Sequence, residues 1–93
     1  MTKELQDIKR LIDSGETEAA IARLDAYILN GVEDGSDDAY YLRGNAYRKQ
    51  GNWQQALNNY LEAIERNPES PAVSAKNMLM DILNFYNKDM YNQ

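Results

Sequence analysis

The sequence predicts an all-α fold in which antiparallel helix hairpins form a repeat array, with five helices in 93 residues. Apolar residues recur at spacings of three and four along most of the chain, whereas strands would require strict alternation. Glycine and proline interrupt these periodic segments at short intervals, so consecutive helices are expected to pack antiparallel. A shift that places Gly15 on Gly51 also places Ala20 on Ala56, which indicates that one hairpin is used twice.

The first two helices are predicted from apolar periodicity and a turn residue. Leu5, Ile8 and the apolar residues after them recur at helical spacing. This pattern predicts a helix over about 3–14. Gly15 ends it, because glycine tolerates a positive φ. A second helix is predicted over about 17–30, before a glycine-containing turn.

Capping residues define the remaining three helices. Ser36 is the predicted N-cap of a third helix over about 37–50. Asn52 is the predicted N-cap of a fourth helix, which ends before Pro68 because the residue preceding a proline disfavours helical geometry. A fifth helix is predicted over 71–88, since it opens with a proline behind a serine cap.

Composition excludes several kinds of chemistry. The chain has no cysteine and no histidine, so it has neither a thiolate nor the usual general base near neutral pH. No motif for a metal, a cofactor or a phosphate is present, and we expect no enzymatic activity. A net charge of −5 argues against nucleic acid as a partner. No apolar run predicts a membrane span or a secretion signal, so a cytoplasmic location is expected.

The segment over 37–70 carries small and aromatic residues at characteristic places. These are Tyr40, Gly44, Tyr47, Gly51, Ala56, Tyr60, Ala63 and Pro68. With them the segment resembles a tetratricopeptide repeat (TPR). The resemblance implies that Gly44 and Ala56 let two helices approach closely, and that Tyr40 and Tyr47 point into the core.

The rest of the chain resembles the same family less closely. Over 1–36, Ile8 stands in the place of the glycine and Tyr27 in the place of the second alanine. Residues 71–88 resemble the helix that closes such arrays, and 89–93 form a tail. We therefore expect a single TPR-like domain made of two repeats and a closing helix, a TPR-like superhelix.

The resemblance implies a protein–protein interaction module, an adaptor or scaffold, that binds a partner protein or peptide on its concave helical surface. In this family the first helix of each hairpin lines that surface. The residues expected around it are Tyr41, Asn45, Arg48, Lys49, Lys9 and Lys76. Cations and amides suit a partner with acidic groups or a free carboxylate. The alternative is that they form an ordinary solvated helix face. Some family members bind the C-terminal carboxylate of heat-shock chaperones through a set of lysine, asparagine and arginine side chains. This chain matches that set only at Asn45.

The fifth helix suggests a second hypothesis. Its apolar residues cover a wider arc than a closing helix needs, and methionine and aromatic residues are common at binding surfaces. A homodimer would use Met78, Met80, Leu83 and Phe85. The alternative is that the C-terminal tail covers this surface. Trp53, at the start of the fourth helix, is interpreted as a packing residue.

Overall fold

The computed structural model describes residues 1–31 and 35–86, which form five α-helices and no strand. Their bounds are α1 Lys3–Asp13, α2 Thr17–Leu29, α3 Ser36–Lys49, α4 Trp53–Arg66 and α5 Ala72–Tyr86. The predicted all-α fold with five helices is confirmed. The predicted end of the fifth helix and the tail lie outside the described residues. Within those residues, no helix is long and apolar enough to cross a membrane.

Helix starts follow the capping rules, with one correction. The Oδ1 atom of Asn52 accepts a hydrogen bond of 3.2 Å from the backbone of Gln55, as expected of an N-cap. The prediction for α3 was wrong, because Gly35 is its N-cap and Ser36 its first residue. A Cβ atom at position 35 would lie 3.3 Å from the Tyr27 hydroxyl oxygen, and φ is +80° there. Glycine fits this close, left-handed position best.

The two hairpin turns have the same backbone geometry, as expected for a repeated hairpin. Gly15 has φ of +88° and Gly51 has φ of +77°. After each glycine, the next amide donates to a carbonyl five residues earlier: Glu16 to Leu11 at 2.8 Å and Asn52 to Tyr47 at 2.9 Å. This is the Schellman closure of a helix C-terminus.

The apolar core consists of two clusters that meet at α3. The first is built from α1, α2 and α3, with Leu5, Ile8 and Leu24 among its fully buried side chains. The second is built from α4 and α5, and tyrosines of α3 pack against it. Tyr41 packs against both clusters. The third helix is therefore the element that joins the two hairpins.

A polar network led by Arg43 of α3 links α2 to α4. Its Nη1 atom donates to the Asp25 carboxylate at 2.8 Å, and its Nε atom donates to Asn59 Oδ1 at 2.7 Å. Asn59 is buried, and its Nδ2 atom donates to the Gln55 carbonyl at 2.8 Å. The Arg43 guanidinium also lies 5.1 Å from the centroid of the Tyr40 ring. The contacts are geometrically specific, so they constrain how the two hairpins stack.

Candidate functional site

Four of the six predicted partner-binding residues lie on α3. Tyr41, Asn45, Arg48 and Lys49 are spaced so that they share one side of a helix. We call these four residues the α3 face. The first three are half-buried, and Lys49 is exposed. The face is thus a partly enclosed surface rather than a fully solvated stripe.

Tyr60 of α4 reaches the α3 face from the α4 side, because Gly44 has no side chain and leaves space for the Tyr60 ring. A Cβ atom at position 44 would lie 2.6 Å from the Tyr60 ring. The Tyr60 ring is fully buried, yet its hydroxyl donates a hydrogen bond of 2.6 Å to Asn45 Oδ1. Its ring centroid is 6.3 Å from that of Tyr41. Tyr60 therefore fixes two residues of the α3 face from the second helix of the hairpin.

Arg48 stands beside the same hydroxyl. Burial raises the pKa of Tyr60 above its ordinary value of 10.0, while the positive charge of Arg48 and a hydrogen bond with it act in the opposite direction. The Nε atom of Arg48 is buried and has no hydrogen-bond acceptor among the described residues. Buried donors usually have a partner, so the Nε atom of Arg48 is an exception among the described residues.

The cations of α1 and α3 meet at the end of α1. The Lys49 ammonium lies 3.4 Å from the Asp13 carbonyl oxygen, and the Lys9 ammonium lies 3.0 Å from the Asp13 carboxylate. Both lysines are exposed. The structure thus brings Lys9 and Lys49 to one junction, but each already contacts Asp13.

Lys76, which is predicted to border the concave surface, lies next to Asn77 on α5. Lys76 is half-buried, whereas Asn77 is exposed. Ala72 and Leu79, three or four residues to either side of Lys76, are fully buried. Lys76 therefore lies at the edge of the packed face. The described part of the chain gives it no ion pair.

Sequence reasoning assigned Trp53 to packing alone, but the structure also places it on a surface cavity. Arg48, Lys49, Trp53 and Ile82 line a notch of about 300 Å³ between the α3–α4 turn and α5. Trp53 is 38% exposed and Ile82 is half-buried. The sequence did contain one signal for this cavity, because Trp53 directly follows two cations and a turn. The contribution of Ile82 depends on where α5 packs, which periodicity does not predict.

Comparisons with known proteins agree with this architecture. The tetratricopeptide repeat model matches residues 37–70. The solution NMR structure of Bacteroides fragilis protein BF1650 is similar, with 58% sequence identity and a TM-score of 0.89. The match covers 99% of this chain and 92% of that chain. The chain belongs to the tetratricopeptide repeat family. A search of curated proteins finds no match.

Membership in the TPR family carries a general function. TPR repeats form protein–protein interaction modules, and the fold is not catalytic. The TPR model covers α3 and α4, the two helices that build the contacts around Tyr60. The residues best supported as a TPR unit are therefore also those that form the α3 face.

The four residues predicted for self-association differ in how exposed they are. Met78 and Phe85, two helical turns apart on α5 of this TPR protein, are 59% and 77% exposed. Leu83 packs against the second core cluster, and Met80 is half-buried. Met78 and Phe85 thus point outward at the end of the array. Leu83 contributes to the core.

Proposed function

We propose that this TPR protein is an interaction module that binds an acidic segment of a partner protein across the α3 face. Tyr41 and Asn45 present a tyrosine ring and a side-chain amide, and Arg48 pairs with an acidic group. Lys49 and Lys9 supply further positive charge at the α1 side of the face. Lys76 borders it on the α5 side.

The main support for the proposal is the burial and hydrogen bonding of Arg48. Its Nε atom is buried without an acceptor among the described residues, and its guanidinium neighbours a buried tyrosine hydroxyl. Leaving a buried donor unpaired costs about 1–3 kcal/mol. Binding of a carboxylate removes this cost when the half-buried Arg48 side chain turns its Nε atom toward it, and charged hydrogen bonds of this kind are roughly twice as strong as neutral ones.

The charge distribution supports an acidic partner. The chain has a net charge of −5, so most of its surface repels acidic segments. The cations Lys9 and Lys49 meet at Asp13 at the end of α1, and Arg48 directly precedes Lys49 on α3. Because potentials of opposite sign steer association, an acidic segment is directed to the α3 face.

The test is selection from a random dodecapeptide display library. The wild-type chain is expected to enrich acidic peptides. The Arg48→Glu/Lys49→Glu variant is expected to lose at least tenfold in affinity for them, since it removes two attractive charges and adds two repulsive ones. Affinities would be measured by calorimetry on synthesised peptides.

A matched control separates the site from the net charge. Lys3 and Arg23 are exposed on α1 and α2, and the Lys3→Glu/Arg23→Glu variant has the same net charge as the test variant. We expect it to bind the peptides with affinity within about threefold of wild type, since surface charges alone act weakly. Equal losses in the two variants would contradict a site on the α3 face.

Self-association is a second candidate function, and it is favoured by the exposure of Met78 and Phe85. Stable interfaces bury about 800 Å² on each partner. Sedimentation equilibrium at high micromolar concentration would show a dimer if this function is correct. A Met78→Glu/Phe85→Ser variant would then be a monomer, while a Leu29→Glu control would still dimerise. A monomeric wild-type chain would exclude this candidate.

A further inference from the structure

The notch beside the α3 face has a mixed chemistry. Trp53 and Ile82 provide apolar surface, and Arg48 provides a cation whose buried Nε atom has no acceptor within the described parts of the chain. The Lys49 ammonium is directed to the Asp13 carbonyl on the α1 side, so Arg48 is the principal cation of the notch. Ligand sites commonly combine an apolar lining with a few polar groups that fix orientation.

The size of the notch limits what it holds. Its volume of about 300 Å³ is at the lower end of ligand cavities. That is room for one large side chain, not for a folded element of a partner. An apolar side chain placed against Trp53 would bring the carboxylate of the same residue, or of its neighbour, toward Arg48.

The notch also continues the α3 face. Tyr41 and Arg48 are seven residues apart on a helix, which is about 10 Å along its axis. About three residues of extended peptide span that length. One short extended segment can therefore contact Tyr41 at one end and enter the notch at the other.

We propose that the notch is an anchor pocket for one aromatic or branched apolar side chain of the partner peptide, next to a carboxylate that pairs with Arg48. This inference rests on the proposed function and adds a requirement to it. An acidic peptide alone is not sufficient: the carboxylate must adjoin a large apolar side chain. The positive charge of Arg48, in a chain with a net charge of −5, is complementary to that partner.

The experiment uses the peptides selected on the wild-type chain. They are expected to share an aromatic or branched apolar residue within two positions of an acidic residue. Replacing that apolar residue by alanine should weaken binding about tenfold or more, because it removes the burial of a large side chain. The Ile82→Glu variant should lose binding by a similar factor. A Leu61→Glu control, on the exposed surface of α4, should not.

Trp53 is the only tryptophan in the chain, so its fluorescence reports on the notch directly. Its emission maximum is expected to shift as the selected peptide is added, and not when the alanine-substituted peptide is added at the same concentration. Binding without any change in Trp53 emission would overturn the anchor pocket.

The remaining outcomes separate the two proposals. Acidic peptides that lack an apolar anchor, or that tolerate its replacement within twofold, would overturn the anchor pocket and leave the α3 face in place. Peptides that bind the Arg48→Glu/Lys49→Glu variant as well as wild type would overturn both proposals. Failure to enrich any peptide would also overturn both, because a random dodecapeptide library contains the short pattern many times.

Discussion

At the scale of single residues, Gly44 determines how α3 and α4 meet. It occupies the middle of a helix, where alanine would usually be more stable by about 1 kcal/mol. A Cβ atom there would lie 2.6 Å from the buried Tyr60 ring and 3.2 Å from the Ala56 carbonyl oxygen. The first distance is shorter than packing allows and the second is tight, so glycine is preferred over alanine at this position.

Gly44→Ala is therefore expected to lower the free energy of unfolding by about 1–3 kcal/mol, the typical cost of overpacking. Urea denaturation followed by circular dichroism would measure it. In a Tyr60→Leu background the same change should cost clearly less, because the ring that it overlaps is absent and only the tight contact with the Ala56 carbonyl oxygen remains. Destabilisation of equal size in both backgrounds would contradict the assigned overlap.

Tyr60 gives a prediction about pH. Burial raises the pKa of its phenol above 10.0, so the folded chain holds this proton more tightly than the unfolded chain. The resulting stability is complete below about pH 10 and is lost as pH rises through the folded-state pKa. Tyr60→Phe removes this contribution, and its stability should fall less steeply above pH 10. Parallel stability curves for the two proteins would contradict this prediction.

At the scale of elements, the Arg43 network links the hairpins through α2, α3 and α4. Arg43→Ala would leave the buried Oδ1 atom of Asn59 without its donor and remove the ion pair with Asp25. We expect a loss of about 2–3 kcal/mol in the free energy of unfolding. Arg10→Ala is the matched control, because its ion pair with Asp7 is exposed and lies within α1. Its loss should stay below about 1 kcal/mol.

Most helix bounds could be predicted from the sequence, because apolar periodicity and capping residues are local signals. Asn52 and the glycine turns acted as expected. Gly35 was not recognised as a cap, because the reason for a glycine there is the nearby Tyr27 hydroxyl. Similarly, the half-burial of Tyr41 between two clusters arises from tertiary packing. Long-range contacts of this kind have no local pattern in the chain.

The candidate site was predictable to a similar extent. Helical spacing places Asn45 and Arg48 on one side of α3, and they do neighbour each other around Tyr60. The notch was not predicted, because it forms only when Ile82 of α5 lies across from Trp53 of α4. Residues on three elements define it, and the packing angle of α5 sets their separation.

At the scale of the whole molecule, two surfaces are candidates for binding a partner. The α3 face carries two cations on a partly buried surface, whereas the outer side of α5 exposes Met78 and Phe85. The two lie on different helices, so one binding experiment can distinguish them. The chain's net charge of −5 favours the cationic surface for an acidic partner.

Amide chemical-shift mapping of the isotope-labelled chain with a selected acidic peptide tests the central claim most directly. The account predicts that the largest shifts cluster at Tyr41, Asn45, Arg48 and Trp53, and that they disappear in the Arg48→Glu/Lys49→Glu variant. Largest shifts around Met78, with those of the α3 face unchanged, would contradict it.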